Sequence, residues 1–312
     1  MSSFSFKPAD WIPFKDMGVI NAVKGLTGDA LIKHHNPDFK ITILPDVSGV
    51  WIADMALRAK LSDMLDKRCV MILPNPAPAT YMQVAAMINQ EKINCRNLHI
   101  FPMDEWADDD GNIAPLDYKA GFGYSLMKYF YAKIDEELRM PISNMHMMDN
   151  KIINDYTKII CEVGQGGADV CYSGPGWAGH IAFVDPCTPE FAAETVEEFI
   201  EKGARIVTLH PMTIMQNSLH GVFGQSGNVA AVPPKAATIG PLDVKNARCR
   251  MEFHSLTTMG SHSSWQRMIS KLVLHGPVTP LIPASILQLW KTNVFVSELI
   301  AEPIVCEEMV GY

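Results

Sequence analysis

The sequence predicts a three-layer α/β protein with a mainly parallel sheet. Apolar runs of strand length alternate along the chain with segments whose apolar residues recur at helical spacing. The run at residues 69–73 (CVMIL) is apolar throughout, which is typical of a parallel strand buried on both faces. The chain has 312 residues, which is enough to bury a sizeable core.

The same patterns give bounds for the individual elements. Strands are predicted at residues 39–44, 69–73, 97–101, 168–172, 247–253 and 293–297. Helices are predicted at residues 47–65, 79–91, 121–138, 154–163 and 263–275. We interpret residues 1–36 as an N-terminal extension and residues 37–312 as a single domain.

Three loops are candidates for ligand binding on topology alone. In a parallel sheet with helical crossovers, ligands bind outside the carboxyl ends of the strands. The segments that follow predicted strands at this edge are residues 74–79, 102–110 and 173–186.

Composition argues against several classes of protein. The net charge of −8 and the lack of a basic stripe disfavour nucleic-acid binding. No apolar run approaches 18 residues, so no membrane span is expected, and residues 1–14 lack the apolar stretch of a signal peptide. Seven cysteines without a CxxC pair indicate free thiols in a reducing compartment. We therefore expect a cytoplasmic protein with a small-molecule partner, and leave a homo-oligomer open.

Two adjacent carboxylates, Asp104 and Glu105, end a predicted strand at the ligand edge. In a turn they can point in different directions, one into the site and one to a backbone partner. A carboxylate in a desolvated cleft is a good general base for a carbon acid. Taken alone, the pair more often marks a turn or a helix cap.

A glycine-rich segment at residues 174–186 follows the fourth predicted strand. Its glycines allow the backbone to approach a ligand closely. Asp185 follows His180 by five residues, and a carboxylate that accepts from one imidazole nitrogen leaves the other free for proton transfer. A lone histidine would favour a structural role, but a histidine together with a glycine-rich loop and an acid favours a functional one. The segment also supplies three candidate ligand contacts: Gly176, Trp177 and Gly179.

These residues resemble the glucosamine-6-phosphate isomerase/deaminase family, whose relatives include the 6-phosphogluconolactonases. The resemblance rests on FPMDEW at residues 101–106 and GHIAFVDP at 179–186. Further support comes from NS at 217–218, VPPKAATIG at 232–240, MGS at 259–261 and ASILQLW at 284–290. The anchors follow the family order over residues 39–304, and GHIAF followed by an acid and proline is closer to the deaminases than to the lactonases.

The resemblance implies a Rossmann-like fold of the deaminase type and specific catalytic roles. Asp104 matches the base that moves a proton between C1 and C2 of the opened sugar. His180 matches the histidine that assists ring opening, and Asp185 stands where the family usually has Glu and would orient His180. Asp is one methylene shorter, so a shift of about 1 to 1.5 Å is needed to keep that bond. This chemistry requires no cofactor, and no metal site is expected.

The chain departs from the family at the second acid and at three phosphate-binding elements. Ala178 replaces an acid two residues before the histidine. The phosphate loop contains Pro76 and Pro78, which lack backbone N–H donors. The phosphate-binding arginine and lysine of the family align with Ile214 and Ser263. The loss of all three phosphate-binding elements together indicates a ligand that carries no phosphate in the usual place.

Three further residues are candidate substrate contacts despite these departures: Asn75, Thr80 and His262. We expect a sugar isomerase, with or without deaminase activity, that acts on an amino sugar or related carbohydrate with altered substrate preference. Two alternatives stay open. A non-catalytic sugar-binding or regulatory protein is favoured by Ala178, and a lactonase-type hydrolase would use His180 to activate water.

Overall fold

The structure is a computed structural model that describes residues 6–256 and 264–305. The MGS motif at 259–261 and the candidates His262 and Ser263 lie outside the described residues.

The described residues form nine strands and eleven α-helices, with short 3₁₀ helices between them. The strands are β1 (Phe39–Leu44), β2 (Cys69–Leu73), β3 (Leu98–Pro102), β4 (Asp104–Ala107), β5 (Val170–Ser173), β6 (Arg205–Thr208), β7 (Lys235–Thr238), β8 (Arg250–His254) and β9 (Thr292–Ser297). The helices are α1 (Met17–Lys24), α2 (Gly28–Ile32), α3 (Ser48–Leu65), α4 (Pro78–Gln90), α5 (Phe122–Tyr129), α6 (Tyr156–Gly164), α7 (Val196–Phe199), α8 (Pro211–Asn217), α9 (Pro241–Asn246), α10 (Gln266–His275) and α11 (Glu298–Ala301).

The central sheet has six parallel strands in the order β1-β9-β8-β5-β2-β3. Side chains of the fully buried strand β2 alternate between its two faces. Val70 and Ile72 pack into the core that includes α6 and α10, whereas Met71 packs into the core under α3 and α4. The predicted three-layer α/β fold with a mainly parallel sheet is confirmed.

A second sheet was not predicted and corrects the interpretation of residues 102–110 as a loop. Residues of β4 pair antiparallel with β7, which also pairs with β6. The chain leaves the central sheet at Met103, whose N–H and carbonyl bond to Leu73 and Ile239 respectively. Asp104 and Glu105 therefore lie on a buried strand, which fixes them more firmly than a loop would.

The helix predicted at residues 121–138 is too long. The α-helix ends at Tyr129, and two short 3₁₀ turns follow it. Phe130 leaves helical geometry at φ −118° and ψ −73°, and its buried ring packs 5.8 Å from that of Tyr81. Aromatic residues lose side-chain freedom in a helix, so burial of this ring outweighs continuation of the helix. The remaining predicted bounds agree with the described ones to within three residues.

The N-terminal segment packs against the last helices of the central unit. Val23 and Leu31 are buried in the core that also includes α10. His275 Nε2 lies 2.7 Å from the carbonyl oxygen of Leu31, and the N–H of Ile304 donates to Lys24. The division of the chain at residue 36 stays a prediction. Within the described ranges, no helix has the length and apolar character needed to cross a membrane.

Candidate functional site

His180 and Asp185 form the hydrogen bond predicted from their spacing. His180 Nδ1 lies 2.7 Å from Asp185 Oδ1, and both side chains are almost fully buried. The Thr213 hydroxyl donates to the same oxygen at 2.7 Å, and the N–H of His210 donates to Oδ2 at 2.7 Å. The carboxylate is therefore held by three donors, and it fixes the proton of the imidazole on Nδ1. The shorter Asp side chain keeps the predicted contact.

Gly176 approaches His180 closely, whereas the sequence predicts that the glycines of this loop approach a ligand; a ligand contact by Gly176 stays a prediction. A Cβ atom added at Gly176 would lie 1.8 Å from His180 Nε2. A tight turn folds the backbone back on the histidine, since the N–H of Gly176 donates to the His180 carbonyl and that of Gly179 to the Gly176 carbonyl. Gly179 has φ +79°, which favours glycine at that position. Both glycines therefore position His180.

Asp104 lies on β4 with a buried oxygen, Oδ1, that has no hydrogen-bond partner. Burial, and second the neighbouring Glu105 carboxylate, hold the pKa of Asp104 well above its usual value. A carboxylate of raised pKa is a stronger base once it is deprotonated.

Glu105 points away from Asp104 and binds the start of α5. Its carboxylate accepts the N–H groups of Phe122 at 3.0 Å and Trp106 at 2.8 Å on Oε1, and that of Gly123 at 2.6 Å on Oε2. Burial raises the pKa of Glu105, although these donors oppose the rise. The side chains of Asp104 and Glu105 therefore point in different directions, as adjacent residues can. A substrate contact by Glu105 stays a prediction.

Backbone pairing brings the Asp104 strand next to the His180 loop. Asp104 is the register partner of Thr238 on β7. The hydroxyl of Thr238 accepts the N–H of Phe183 at 3.0 Å, three residues after His180. The ring of Phe183 also packs 5.1 Å from that of Trp106. Two segments far apart in sequence thus meet at the carboxyl edge of the central sheet.

A cavity of about 280 Å³ lies at the carboxyl ends of the neighbouring strands β2, β5 and β8. Its polar lining residues are Ser48, Trp51, Asn75, Thr80, Ser173, Gln216, His220, His254, Ser255, Trp265, Gln266 and Ser270. The candidates Asn75 and Thr80 therefore line it, as the topology predicts. Trp177 lies behind the wall, where its N–H donates to Gln216 Oε1 at 2.7 Å and its ring stacks on Trp265.

His220 connects this cavity to the His180 dyad. It lines the cavity, and its Nδ1 is buried without a hydrogen-bond partner. Burial, and second the nearby His180, lower the pKa of His220 to about 4. Neither dyad residue lines the cavity, but Pro175 does, and the next residue, Gly176, lies against His180, so the dyad adjoins the cavity wall.

The sequence interpretation missed a buried acid and a buried histidine on β8. Glu252 and His254 lie two residues apart and are fully buried, with His254 Nε2 3.7 Å from Glu252 Oε1. The hydroxyl of Ser173, the register partner of Glu252 on β5, donates to Glu252 Oε2. Burial raises the pKa of Glu252 to about 8 and lowers that of His254 to about 3. The signal was present, since a strand reading RMEFH places three ionisable residues, Arg250, Glu252 and His254, on one face.

Among the described residues, no three His, Cys, Asp or Glu side chains cluster in a way that could hold a metal ion.

No model of a protein family matches the chain. A glucosamine-6-phosphate deaminase of Caenorhabditis elegans is 28% identical over 226 residues, which cover 68% of this chain and 74% of the relative. One of Lachnoclostridium phytofermentans is 27% identical over 213 residues, covering 67% and 78%. The chain is similar in sequence to the glucosamine-6-phosphate deaminases. The resemblance predicted from its motifs is confirmed.

Solved structures agree on the fold. A monomeric glucosamine-6-phosphate deaminase superposes with a TM-score of 0.67 at 19% identity, covering 84% of this chain and 99% of that one. A 6-phosphogluconolactonase from Trypanosoma cruzi superposes with a TM-score of 0.58 at 15% identity, covering 88% and 100%. The fold is therefore that of the glucosamine-6-phosphate deaminases.

Ala178 has apolar surroundings. It lines a separate pocket of about 190 Å³ together with Ile12, Phe14 and Ile269. The N-terminal segment thus helps to enclose the position at which the family resemblance implies an acid. An ionised acid there would lose its hydration without gaining a partner from this apolar wall.

We predict that Gly176→Ala disrupts the His180 dyad. The added methyl group would overlap His180 Nε2, so the ring or the loop must move. Overpacking of this kind typically costs about 1–3 kcal/mol. Urea unfolding should show that loss, and the imidazole NMR signals of His180 should shift.

The matched control is Gly221→Ala, because a Cβ atom at Gly221 meets nothing within 4 Å. Equal stability of the two variants would contradict the packing described for Gly176.

We predict that Glu252 makes stability fall as pH rises. Its pKa of about 8, against 4.5 for the free group, means that the folded state holds a proton which the unfolded state has lost between these values. The contribution of Glu252 to the free energy of unfolding is therefore fully present below pH 4.5 and is lost as pH rises to about 8. Glu252→Gln keeps an acceptor for Ser173 and removes the titration, so its stability relative to wild type should increase by a few kcal/mol from pH 5 to pH 8. A difference in unfolding free energy between Glu252→Gln and wild type that stays constant from pH 5 to pH 8, measured by urea unfolding, would refute the assignment.

Proposed function

We propose that this protein is a sugar isomerase, with or without deaminase activity, that acts on an amino sugar or related carbohydrate lacking phosphate in the usual place. The observation that carries the proposal is the His180–Asp185 dyad, held at 2.7 Å beside the strand of a desolvated Asp104. Aldose–ketose isomerisation needs one base and one proton-transfer partner. The chain offers both.

Asp104 is the proposed base. Its unpartnered Oδ1 is free to accept a proton from C2 of an opened sugar and to return it to C1. The raised pKa strengthens the base and keeps its conjugate acid available for the return step. Its place on a paired strand holds the carboxylate in one position during both transfers.

His180 is the proposed partner for ring opening. Asp185 accepts from Nδ1, so Nε2 is the nitrogen that exchanges a proton with the sugar. The Asp185 carboxylate also stabilises the imidazolium formed when Nε2 takes up a proton.

The altered substrate preference is supported by the cavity walls. The described residues that line it include no Lys, Arg, Asp or Glu. Ile214 is an apolar residue packed against the core, where the family resemblance implies an arginine. Pro76 lines the cavity and Pro78 begins α4, so two backbone donors are absent near the start of that helix.

Two lysines lie in an adjoining cleft of about 790 Å³. It carries Lys119 and Lys128, both exposed, with Lys128 Nζ over the rings of Tyr124 and Tyr129. The cleft shares four residues with the cavity: Pro76, Gln216, His220 and Trp265. These lysines line the outer cleft rather than the cavity itself.

A non-catalytic sugar-binding protein is the second candidate, and the surroundings of Ala178 favour it. The apolar pocket at that position leaves no group to take over the role of the family acid. Hydrolysis of a lactone, with His180 activating water, is a third outcome that a turnover screen separates from both.

We predict that Asp104→Asn lowers turnover by about 10²–10⁴-fold, because a carboxamide cannot accept the C2 proton. The assay follows ketose formation, ammonia release and lactone hydrolysis separately, on phosphorylated and free amino sugars and on sugar lactones. Folding should be kept or improved, since Asn carries no charge to desolvate.

The matched control is Asp117→Asn, an exposed carboxylate outside the site, which should leave turnover unchanged. Equal loss in both variants, or full activity of Asp104→Asn, would contradict the role of Asp104. Absence of turnover on every sugar tested would favour the binding protein.

A further inference from the structure

Buried polar atoms without partners are concentrated around one cavity. Twelve buried side-chain atoms in the described part of the chain have no hydrogen-bond partner in the protein. Six of them belong to residues that line the 280 Å³ cavity. They are Trp51 Nε1, Asn75 Oδ1, His220 Nδ1, His254 Nδ1, His254 Nε2 and Ser270 Oγ. Each such atom typically costs about 1–3 kcal/mol when left unpaired, so their grouping indicates a place built to bind something polar.

The described lining of the cavity carries no formal charge at neutral pH. Its described lining has no Lys, Arg, Asp or Glu, and burial lowers the pKa of His220 to about 4 and that of His254 to about 3. Burial raises the pKa of Glu252, whose Oε1 lies 3.7 Å from His254 Nε2, to about 8. A phosphate or an ammonium group placed here would find no opposite charge.

The unpartnered atoms include both donors and acceptors. The indole N–H of Trp51 can only donate, and Asn75 Oδ1 can only accept. The ring of His254 offers one donor and one acceptor when neutral, and Ser270 offers both. A sugar hydroxyl also donates and accepts. The stacked rings of Trp51 and Phe253, 5.5 Å apart, add an apolar wall suited to the C–H face of a sugar.

We propose that this cavity binds an uncharged, polyhydroxylated part of a sugar and that His254 is a specificity-determining residue which binds one of its hydroxyl groups. The inference rests on the proposed function only in taking the cavity as the sugar site. Glu252 is assigned as a positioning residue: it is bonded to Ser173 and contacts His254 at 3.7 Å, without a hydrogen bond to the ring and without lining the cavity.

The test measures binding rather than turnover. Isothermal titration calorimetry of the full chain with D-glucose and with D-sorbitol should detect millimolar or tighter binding of at least one. His254→Leu should weaken that binding about 5- to 50-fold, the loss expected for one or two neutral hydrogen bonds. His99→Phe is the matched control, since this half-buried histidine lies on the edge strand β3 and does not line the cavity.

Stability separates a binding role from a structural one. His254→Leu removes two unpaired buried nitrogens, so thermal unfolding should occur at the same or a higher temperature while sugar binding is weakened. A structural histidine would give the reverse, with lower stability and unchanged binding. A lower unfolding temperature would therefore count against the proposal.

Glu252→Gln tests the positioning role. It should change the ¹⁵N signals of His254 and weaken binding less than His254→Leu does. Unchanged His254 signals would overturn the role of Glu252.

The inference and the proposed function can fail separately. Binding that depends on His254, without any isomerase activity, would leave the inference standing and refute the enzyme. Activity that depends on Asp104, with binding unaffected by His254→Leu, would do the opposite. Failure of both uncharged probes to bind at millimolar concentration would overturn the inference.

Discussion

Four buried carboxyl groups at the carboxyl edge of the sheet have no cationic partner, and the architecture of the site follows from that constraint. Asp104, Glu105, Asp185 and Glu252 are each 5% exposed or less. Within the described ranges, none of them forms a salt bridge with Lys or Arg. Because an unpaired buried charge is costly, each acid must find neutral donors or hold its proton.

The four acids meet this constraint in different ways. Glu105 accepts three backbone N–H groups at the start of α5, and Asp185 accepts from a hydroxyl, a backbone N–H and an imidazole. Glu252 has one serine donor and a pKa raised to about 8. Asp104 Oδ1 and Glu252 Oε1 have no hydrogen-bond partner, and burial holds the pKa of Asp104 well above its usual value. Glu105 and Asp185 are fixed by their donors, whereas Asp104 and Glu252 each keep an unpartnered oxygen and a raised pKa, and we propose only Asp104 for proton transfer.

Sequence reasoning succeeded where the determinants are local. The apolar run of β2 gave its bounds without error, and the five-residue spacing of His180 and Asp185 gave their hydrogen bond. Sequence reasoning failed where a strand pairs with a segment that lies far along the chain. Strand β4 depends on β7, more than 120 residues later, so residues 102–110 were interpreted as a loop.

The acid and histidine of β8 were missed for a different reason. The strand was predicted, but its polar residues were not weighed as a pair, because nothing in the sequence shows that both become fully buried. Burial gives Glu252 and His254 their shifted pKa values. That burial depends on the position of β8 between β9 and β5 in the central sheet. The family resemblance gave no help, since it rests on other segments.

The central claim is that the cavity recognises a sugar without using a phosphate. Calorimetric titration with glucosamine 6-phosphate and with free glucosamine tests it most directly. The absence of two cations should forfeit on the order of 3–6 kcal/mol of charge-assisted bonding, about two to four decades of affinity. The account predicts that the phosphate ester binds no more tightly than the free sugar. Micromolar binding that requires the phosphate would contradict it.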